Sequence, residues 1–165
     1  MTDRPIRVLF VCTGNSARSV MAEALLRTKG GAAFDVHSAG TDPRGINPLT
    51  VRVLTEAGID ASGVRSKSVT EYLGQHFDYV VTVCDEARQV CPVFPGMHQS
   101  LHWGYEDPAE AQGPEDERLA VFLRVFVQLG ERINQFVPLA IGARLERAEA
   151  GSATPESRPA TLKET

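Results

Sequence analysis

The chain has 165 residues and a formal net charge of -4 at pH 7. Hydrophobic residues make up 42% and charged residues 23% of the sequence, as in an ordinary globular domain. This length predicts one domain with a substantial core, and the charge argues against nucleic-acid binding. The sequence contains no apolar run of membrane-spanning length, and its first residues lack the apolar segment of a signal peptide. We therefore expect a cytoplasmic protein without membrane association, acting as a monomer.

Strand-like and helix-like segments alternate along the chain. Apolar, β-branched runs predict strands at 6–11, 34–40, 77–83 and 99–103. Helical spacing of apolar residues, with capping residues at the ends, predicts helices at 19–29, 47–58 and 113–137. Strands that alternate with helices imply a parallel sheet, so we predict an α/β fold with a four-stranded parallel sheet flanked by helices on both faces.

The residues from about 141 onward differ in composition from the rest of the chain. They are polar, rich in Pro, Ser and Thr, and show no periodicity. Such a segment buries too little apolar surface to offset the entropy of ordering. We therefore predict a domain over residues 1–140 and a flexible tail over residues 141–165.

A thiol and an anion-binding loop adjoin each other between the first strand and the first helix. Cys12 directly follows the predicted strand, and the loop 13–17 leads to Arg18 before the predicted helix. Helix N-termini bind oxyanions, and a guanidinium adds a bidentate fork. The same field is expected to lower the pKa of the Cys12 thiol, with a further hydrogen bond from Ser19. The predicted oxyanion-binding residues are Thr13, Gly14, Asn15, Ser16, Ala17, Arg18 and Ser19.

Other interpretations of this loop are weaker. A lone cysteine after a strand is often a small buried hydrophobe. An arginine six residues later, at a strand-to-helix junction, favours a nucleophile instead. The loop lacks the Gly-Lys-Ser/Thr of nucleotide-binding P-loops, so it does not indicate a nucleotide.

A candidate general acid follows the fourth predicted strand. Asp107 precedes Pro108 in a loop that should lie at the same sheet edge as Cys12. A thiolate that attacks an oxyanion needs a group to protonate the leaving oxygen. Acidic loop residues are usually only solvated, so the sequence alone leaves that alternative open.

Two more cysteines allow three interpretations. Cys84 follows the third predicted strand, and Cys91 lies seven residues further along a short helical segment. Two helical turns would separate them by about 10 Å, too far for a disulfide unless the segment unwinds. They could be buried structural thiols, zinc ligands together with His98 and His102, or members of a relay that carries oxidation from Cys12 to Cys84 and then Cys91.

Four stretches together resemble the thioredoxin-coupled arsenate reductases, a redox branch of the low-molecular-weight protein tyrosine phosphatase superfamily. They are "CTGNSARS", "HSAGTDPRGINP", "TVCDEARQVCPVFPG" and "HWGYEDPAE". The resemblance covers about residues 5–137 and implies that family's four-stranded parallel sheet. Ala17 stands where many phosphatases carry a second loop cysteine. Ala109 and Glu110 follow the Asp-Pro pair, where tyrosine phosphatases commonly have aromatic residues, and this departure weakens a phosphotyrosine interpretation.

The resemblance implies a three-cysteine reduction of arsenate, for which phosphate and sulfate are analogues. The loop and Arg18 would bind arsenate, the Cys12 thiolate would attack arsenic, and Asp107 would protonate the departing oxygen. Cys84 would then attack Cys12 and release arsenite. Cys91 would attack Cys84, and thioredoxin would reduce the resulting disulfide without any cofactor. The rival activity is a phosphatase of phosphotyrosine or small esters, which needs neither Cys84 nor Cys91; a non-enzymatic oxyanion sensor ranks third.

Some members of the resembled family hold a potassium ion near the loop. Asn15, Glu23 and Ser38 match three of its ligands, and the position of the fourth, an aspartate, aligns best with Lys67. A lysine ammonium there could replace the ion. We therefore expect no metal and no strong potassium dependence, with a solvated surface lysine as the alternative.

Overall fold

The computed structural model describes residues 4–96 and 98–152. The strands in this part are β1 (Ile6–Cys12), β2 (Phe34–Gly40), β3 (Tyr79–Thr82) and β4 (Gln99–His102). The α-helices are α1 (Arg18–Gly30), α2 (Pro48–Glu56), α3 (Asp85–Val90) and α4 (Glu115–Ser152). Short 3-10 turns occupy Gly31–Ala33, Val69–Tyr72 and Pro108–Glu110. Among the helices described, none is long and apolar enough to cross a membrane.

The four strands form one parallel sheet in the order β2-β1-β3-β4. This confirms the predicted α/β fold. Strand β1 lies inside the sheet and is buried along nearly its whole length, which explains its continuous apolar sequence. In the β1–β2 register, Cys12 pairs with Gly40. Because all strands run in the same direction, the residues that follow them meet at one edge.

Helix α4 packs one apolar face on the rest of the core. Its buried residues include Phe122, Val125, Leu129, Ile133 and Phe136. The ring of Phe136 lies 5.0 Å from Tyr79 and 5.4 Å from Trp103, measured between centroids. The helical spacing of apolar residues, from which the helix at 113–137 was predicted, thus corresponds to this face, with Leu119 and Phe126 only partly buried.

The predicted end of this helix is wrong. Helix α4 continues through Pro138 to Ser152, so residues 141–152 are helical and do not belong to an irregular tail. Pro138 removes one N–H donor, but the residues after it are mostly Ala, Leu, Arg and Glu, which are good helix formers. The polar composition of the last residues led to a predicted tail that begins too early, at residue 141. The predicted flexible tail beyond 152 lies outside the described residues.

A matched pair of leucines on α4 tests this packing. Leu129 is fully buried, whereas Leu123 is 40% exposed. We expect Leu129→Ala to lower the free energy of unfolding by about 2–5 kcal/mol, because it removes buried methyl groups and leaves a cavity. Leu123→Ala should cost about 0.5 kcal/mol or less. Urea unfolding of both variants measures the difference, and equal losses would contradict the assigned packing.

Candidate active site

The loop 13–17 is held from its outer side by the segment that follows β2. Backbone N–H groups of that segment donate to four carbonyls: Thr41 to Cys12, Asp42 to Thr13, Arg44 to Gly14, and Asn47 to Ser16, at 2.9–3.1 Å. Two side chains add to this support, with Ser66 Oγ donating to Gly14 O and Thr50 Oγ1 donating to Ser16 O. With its carbonyl groups bonded on that side, the loop can present N–H groups to an anion.

A close backbone approach locks the same loop. A Cβ atom at Gly40 would lie 2.5 Å from the carbonyl oxygen of Thr13, so only glycine fits there. Asn15 has φ of 46°, in the left-handed region that asparagine tolerates better than most residues. In this conformation the Asn15 backbone N–H donates to Cys12 Sγ at 3.1 Å. Sequence analysis missed the support by Gly40, which ends β2, and by Thr50 and Ser66, which follow β2 along the chain.

The Cys12 sulfur lies at the base of the loop. It is 2% exposed, and the hydroxyl of Ser19 lies 2.7 Å from it. Asn15 Nδ2 donates to that hydroxyl oxygen at 2.8 Å, which leaves the Ser19 O–H free to donate to sulfur. The predicted hydrogen bond from Ser19 therefore has the geometry it needs.

The expected direction of the pKa shift at Cys12 is wrong. Burial raises the pKa of the Cys12 thiol, and this effect exceeds the lowering by Ser19, Asn15 and Arg18. The reason is desolvation, which disfavours the charged thiolate. The guanidinium of Arg18 is also close to a carboxylate, so its positive charge is not directed at sulfur alone.

A cavity of about 630 Å³ opens above the sulfur of Cys12. Its lining includes Cys12, Thr13, Gly14, Ser16, Ala17, Arg18, Cys84, Tyr105 and Asp107. The predicted oxyanion-binding residues Asn15 and Ser19 are not among its lining residues. Both residues are fully buried. The Ser19 hydroxyl contacts Cys12 Sγ, and the backbone N–H of Asn15 donates to the same sulfur.

Arg18 and Asp107 meet on the wall of this cavity. Arg18 Nη1 donates to the carbonyl oxygen of Tyr105 at 2.9 Å, and its Nη2 lies 3.4 Å from Asp107 Oδ2. The other carboxylate oxygen of Asp107 accepts a hydrogen bond from the Ala109 N–H. The loop after β4 thus brings the predicted acid next to the predicted anion-binding arginine. An oxyanion at Arg18 would compete with Asp107 for the guanidinium.

Cys84 lies on the same cavity and caps the N-terminus of α3. Its sulfur accepts a hydrogen bond from the Ala87 N–H at 3.4 Å and lies 3.4 Å from Thr13 Oγ1. The Thr13 hydroxyl also donates to Glu86 at 3.2 Å. Thr13 therefore links the anion loop directly to the second cysteine, a contact that the sequence did not reveal.

Cys91 lies at the other end of α3, away from this cavity. It is partly buried, burial raises the pKa of its thiol, and it lines a second cavity of about 520 Å³ with Arg88, His98 and His102. The structure thus brings Cys12 and Cys84 together and separates Cys91 from them by a helix. Within residues 4–96 and 98–152, no three His, Cys, Asp or Glu side chains come close enough to hold a metal ion.

A buried polar network lies behind the anion loop. Asn15 Nδ2 donates to Ser38 Oγ at 3.0 Å, and Ser38 Oγ donates to Glu23 Oε2 at 3.0 Å. The Lys67 backbone N–H donates to Asn15 Oδ1 at 2.8 Å. These four residues are at most 6% exposed. The three predicted cation ligands therefore do come together.

The side chain of Lys67 enters this network. Its Nζ lies 3.8 Å from Glu23 Oε1 and donates to the Arg65 carbonyl oxygen at 2.9 Å. Burial lowers the pKa of Lys67, whereas the nearby Glu23 raises it. Lys67 is 6% exposed, so the alternative of a solvated surface lysine is wrong. Its replacement of a potassium ion stays a prediction.

Comparison with known proteins agrees with this geometry. The family model described as low molecular weight phosphotyrosine protein phosphatase matches residues 7–150. The chain belongs to this family. Among its relatives is a protein from Halalkalibacterium halodurans named arsenate reductase, 44% identical over 129 residues, which cover 78% of this chain and 93% of the relative.

Solved structures of this family match the fold. A thioredoxin-dependent arsenate reductase from Corynebacterium glutamicum has a TM-score of 0.65 and 30% identity, with 85% of this chain and 65% of that chain covered. An arsenate reductase from Archaeoglobus fulgidus has a TM-score of 0.65 and 35% identity, with 79% of this chain and 98% of that chain covered.

The contact between Ser19 and Cys12 can be tested through the pKa of the thiol. In a chain with Cys84→Ser and Cys91→Ser, alkylation of Cys12 by iodoacetamide should rise with pH, and its midpoint should lie above that of an unperturbed thiol because burial raises the pKa of Cys12. Ser19→Ala removes a hydrogen bond to the thiolate, so we expect a higher midpoint and about tenfold slower alkylation at neutral pH. Thr28→Ala on the same helix is the matched control. An unchanged or lower midpoint in Ser19→Ala would contradict the assigned contact.

Removal of the Lys67 ammonium tests the buried network. Lys67→Met leaves the Glu23 carboxylate buried with only Ser38 and the exposed Arg27 as partners, so we expect a loss of about 1–3 kcal/mol in unfolding free energy. Lys29→Met on the surface should cost little unfolding free energy.

Potassium should not raise the catalytic efficiency of the native chain above its value in sodium. A large potassium-specific rise there would refute the assignment of Lys67.

Proposed function

We propose that this chain is a thioredoxin-dependent arsenate reductase acting in arsenic detoxification. The observation that carries the proposal is a second thiol, Cys84, on the wall of the cavity that has Cys12 at its base. A phosphatase requires a nucleophile, an arginine and an acid, whereas a reductase also requires a thiol that can attack the first sulfur. The relatives named arsenate reductase support this choice.

Arsenate binding begins at the anion loop. Backbone N–H groups of the loop 13–17 and the guanidinium of Arg18 would hold the tetrahedral oxyanion, and phosphate or sulfate would bind as analogues. Arg18 is only 11% exposed, so its interaction with the anion is weakly screened by water. Binding at Arg18 would loosen its contact with Asp107 and leave that carboxyl group beside the leaving oxygen.

The first chemical step joins sulfur to arsenic. Burial raises the pKa of Cys12, so its proton must leave as the oxyanion binds, and an arsenate oxygen is a base within reach of the sulfur. The Cys12 thiolate attacks arsenic and displaces one oxygen, which Asp107 protonates so that it leaves as water. Arsenic remains pentavalent in this adduct.

The second step reduces arsenic. The Cys84 thiolate attacks the sulfur of Cys12, and the electron pair of the sulfur–arsenic bond passes to arsenic. Arsenite leaves with trivalent arsenic, and a disulfide joins Cys12 to Cys84. The Ala87 N–H in the first turn of α3 donates to the Cys84 sulfur, and this bond would position that sulfur on the wall of the cavity for the attack.

The third step transfers the disulfide outward. Cys91 attacks Cys84, which releases Cys12 as a thiolate and forms a Cys84–Cys91 disulfide. Because α3 (Asp85–Val90) spans about 10 Å between the two cysteines, it must unwind for their Cα atoms to approach within about 7 Å. Thioredoxin then supplies two electrons from its own dithiol. We further propose that the chain acts as a monomer in the cytoplasm, where thioredoxin is kept reduced.

Serine variants of the three cysteines separate these steps. With thioredoxin, its reductase and NADPH, the native chain should oxidise NADPH continuously when arsenate is added. Cys12→Ser and Cys84→Ser should show no arsenate-dependent oxidation, and Cys91→Ser should complete at most one turnover per chain. Sustained turnover of Cys91→Ser would refute the relay.

Hydrolysis of a small aryl phosphate by the same variants is the matched readout. Because the phosphatase reaction uses Cys12, Arg18 and Asp107 alone, any such activity should survive in Cys84→Ser and Cys91→Ser and vanish in Cys12→Ser. If Cys84→Ser reduced arsenate as fast as the native chain, the phosphatase would become the better assignment.

A further inference from the structure

A histidine at the end of β4 is bonded to the first turn of α3. His102 Nε2 lies 2.8 Å from Asp85 Oδ1, and His102 Nδ1 lies 2.7 Å from Thr82 Oγ1. A carboxylate can only accept, so the Nε2–H donates to Asp85. The imidazole is therefore fixed at both nitrogen atoms, one to the neighbouring strand and the other to the helix.

The side chain of His102 is mostly enclosed by its neighbours, including the backbone at Gly104. Its side chain is 21% exposed, and a Cβ at Gly104 would lie 3.2 Å from Nε2, tighter than most such contacts. His102 lines the cavity that contains Cys91, whereas Asp85 lines the cavity that contains Cys12 and Cys84. The hydrogen bond from His102 to Asp85 thus links the wall of the Cys91 cavity to the wall of the cavity that contains Cys12 and Cys84.

Asp85 directly follows Cys84 and begins the helix that must unwind. Formation of a Cys84–Cys91 disulfide within about 7 Å requires α3, which has fewer than two turns, to unwind, and this would move Asp85 relative to the sheet. His102 belongs to the sheet through β4, so it would not follow α3. The contact therefore exists in the dithiol form, with α3 folded, and is lost when the helix unwinds.

We infer that His102 is a positioning residue that holds α3 in its folded, dithiol form and thereby sets the redox equilibrium of Cys84 and Cys91. This inference rests on the proposed relay. Interactions present in only one of two states shift the equilibrium toward that state. Loss of the His102 contact should therefore favour the Cys84–Cys91 disulfide and speed its formation.

The test measures the Cys84–Cys91 couple directly, without arsenate. In full-length chains carrying Cys12→Ser, the two remaining thiols exchange with a buffer of reduced and oxidised dithiothreitol: the protein dithiol is oxidised as the reagent disulfide is reduced. We expect His102→Ala to shift this equilibrium about threefold to fivefold toward the protein disulfide, because Asp85 is largely exposed and the contact is modest. This corresponds to a midpoint potential about 15–20 mV more negative.

Two further variants separate this contact from general loosening of the site. His98→Ala removes a histidine from the same cavity wall that has no bond to Asp85, and it should leave the equilibrium unchanged. In a double-mutant cycle, His102→Ala should have little effect in an Asp85→Ala background, because the bond is already absent. Circular dichroism of each dithiol form verifies that the variants fold.

Each outcome has a defined meaning. The inference is overturned if His102→Ala leaves the dithiol–disulfide equilibrium unchanged or shifts it toward the dithiol. It is also overturned if His98→Ala shifts the equilibrium equally, or if the effects of His102→Ala and Asp85→Ala are fully additive. If Cys84 and Cys91 fail to pair in the Cys12→Ser chain, the relay itself is refuted and the inference falls with it. Pairing with an unshifted equilibrium would overturn the role of His102 alone.

Discussion

The hydrogen bonds from the segment after β2 to the carbonyls of the loop 13–17 are the constraint on which the site depends. A loop of small and polar residues has no apolar core of its own, so its conformation must be imposed from outside. Thr41, Asp42, Arg44 and Asn47 do this through backbone N–H groups, and the missing Cβ of Gly40 lets the two segments touch. The N–H groups of the loop are then preorganised for an anion, with no reorganisation needed at the moment of reaction.

Burial has opposite effects on binding and on nucleophilicity. It strengthens the attraction of Arg18 for an oxyanion, yet it raises the pKa of Cys12 and so disfavours the thiolate. The hydrogen bonds of Ser19 and Asn15 to the sulfur offset part of that penalty. Because Asp107 already lies 3.4 Å from Arg18, the guanidinium charge is shared, and a bound oxyanion changes the surroundings of both the acid and the thiol.

The parallel sheet could be predicted, because the hydrophobic periodicity of local sequence indicates strands and helices, and alternating strands and helices form parallel sheets. The meeting of Cys12, Cys84 and Asp107 at one edge could be predicted as well, because the residues that follow parallel strands lie at the same edge of the sheet. Features that depend on three-dimensional packing could not. The sign of the pKa shift at Cys12 depends on how much water the fold excludes. The bond from Ser19 to Cys12 was predicted, but the absence of Asn15 and Ser19 from the cavity lining depends on which way each side chain turns. The end of α4 was misplaced because the prediction let the polar composition of the last residues define a tail from 141, whereas residues 141–152 are helical.

Helix α3 separates Cys91 from Cys12 and Cys84, so it must unwind before Cys91 can reach Cys84. A helix of six residues is too short to be stable by itself, so tertiary contacts must hold it. Its only buried residue is Ala87, Val90 is 63% exposed, and Pro92 and Pro95 prevent the helix from continuing. Few contacts thus oppose its unwinding. The cap formed by Cys84 and the bond from His102 to Asp85 are among the contacts that remain, and both hold the first turn of α3, which unwinds when Cys91 reaches Cys84.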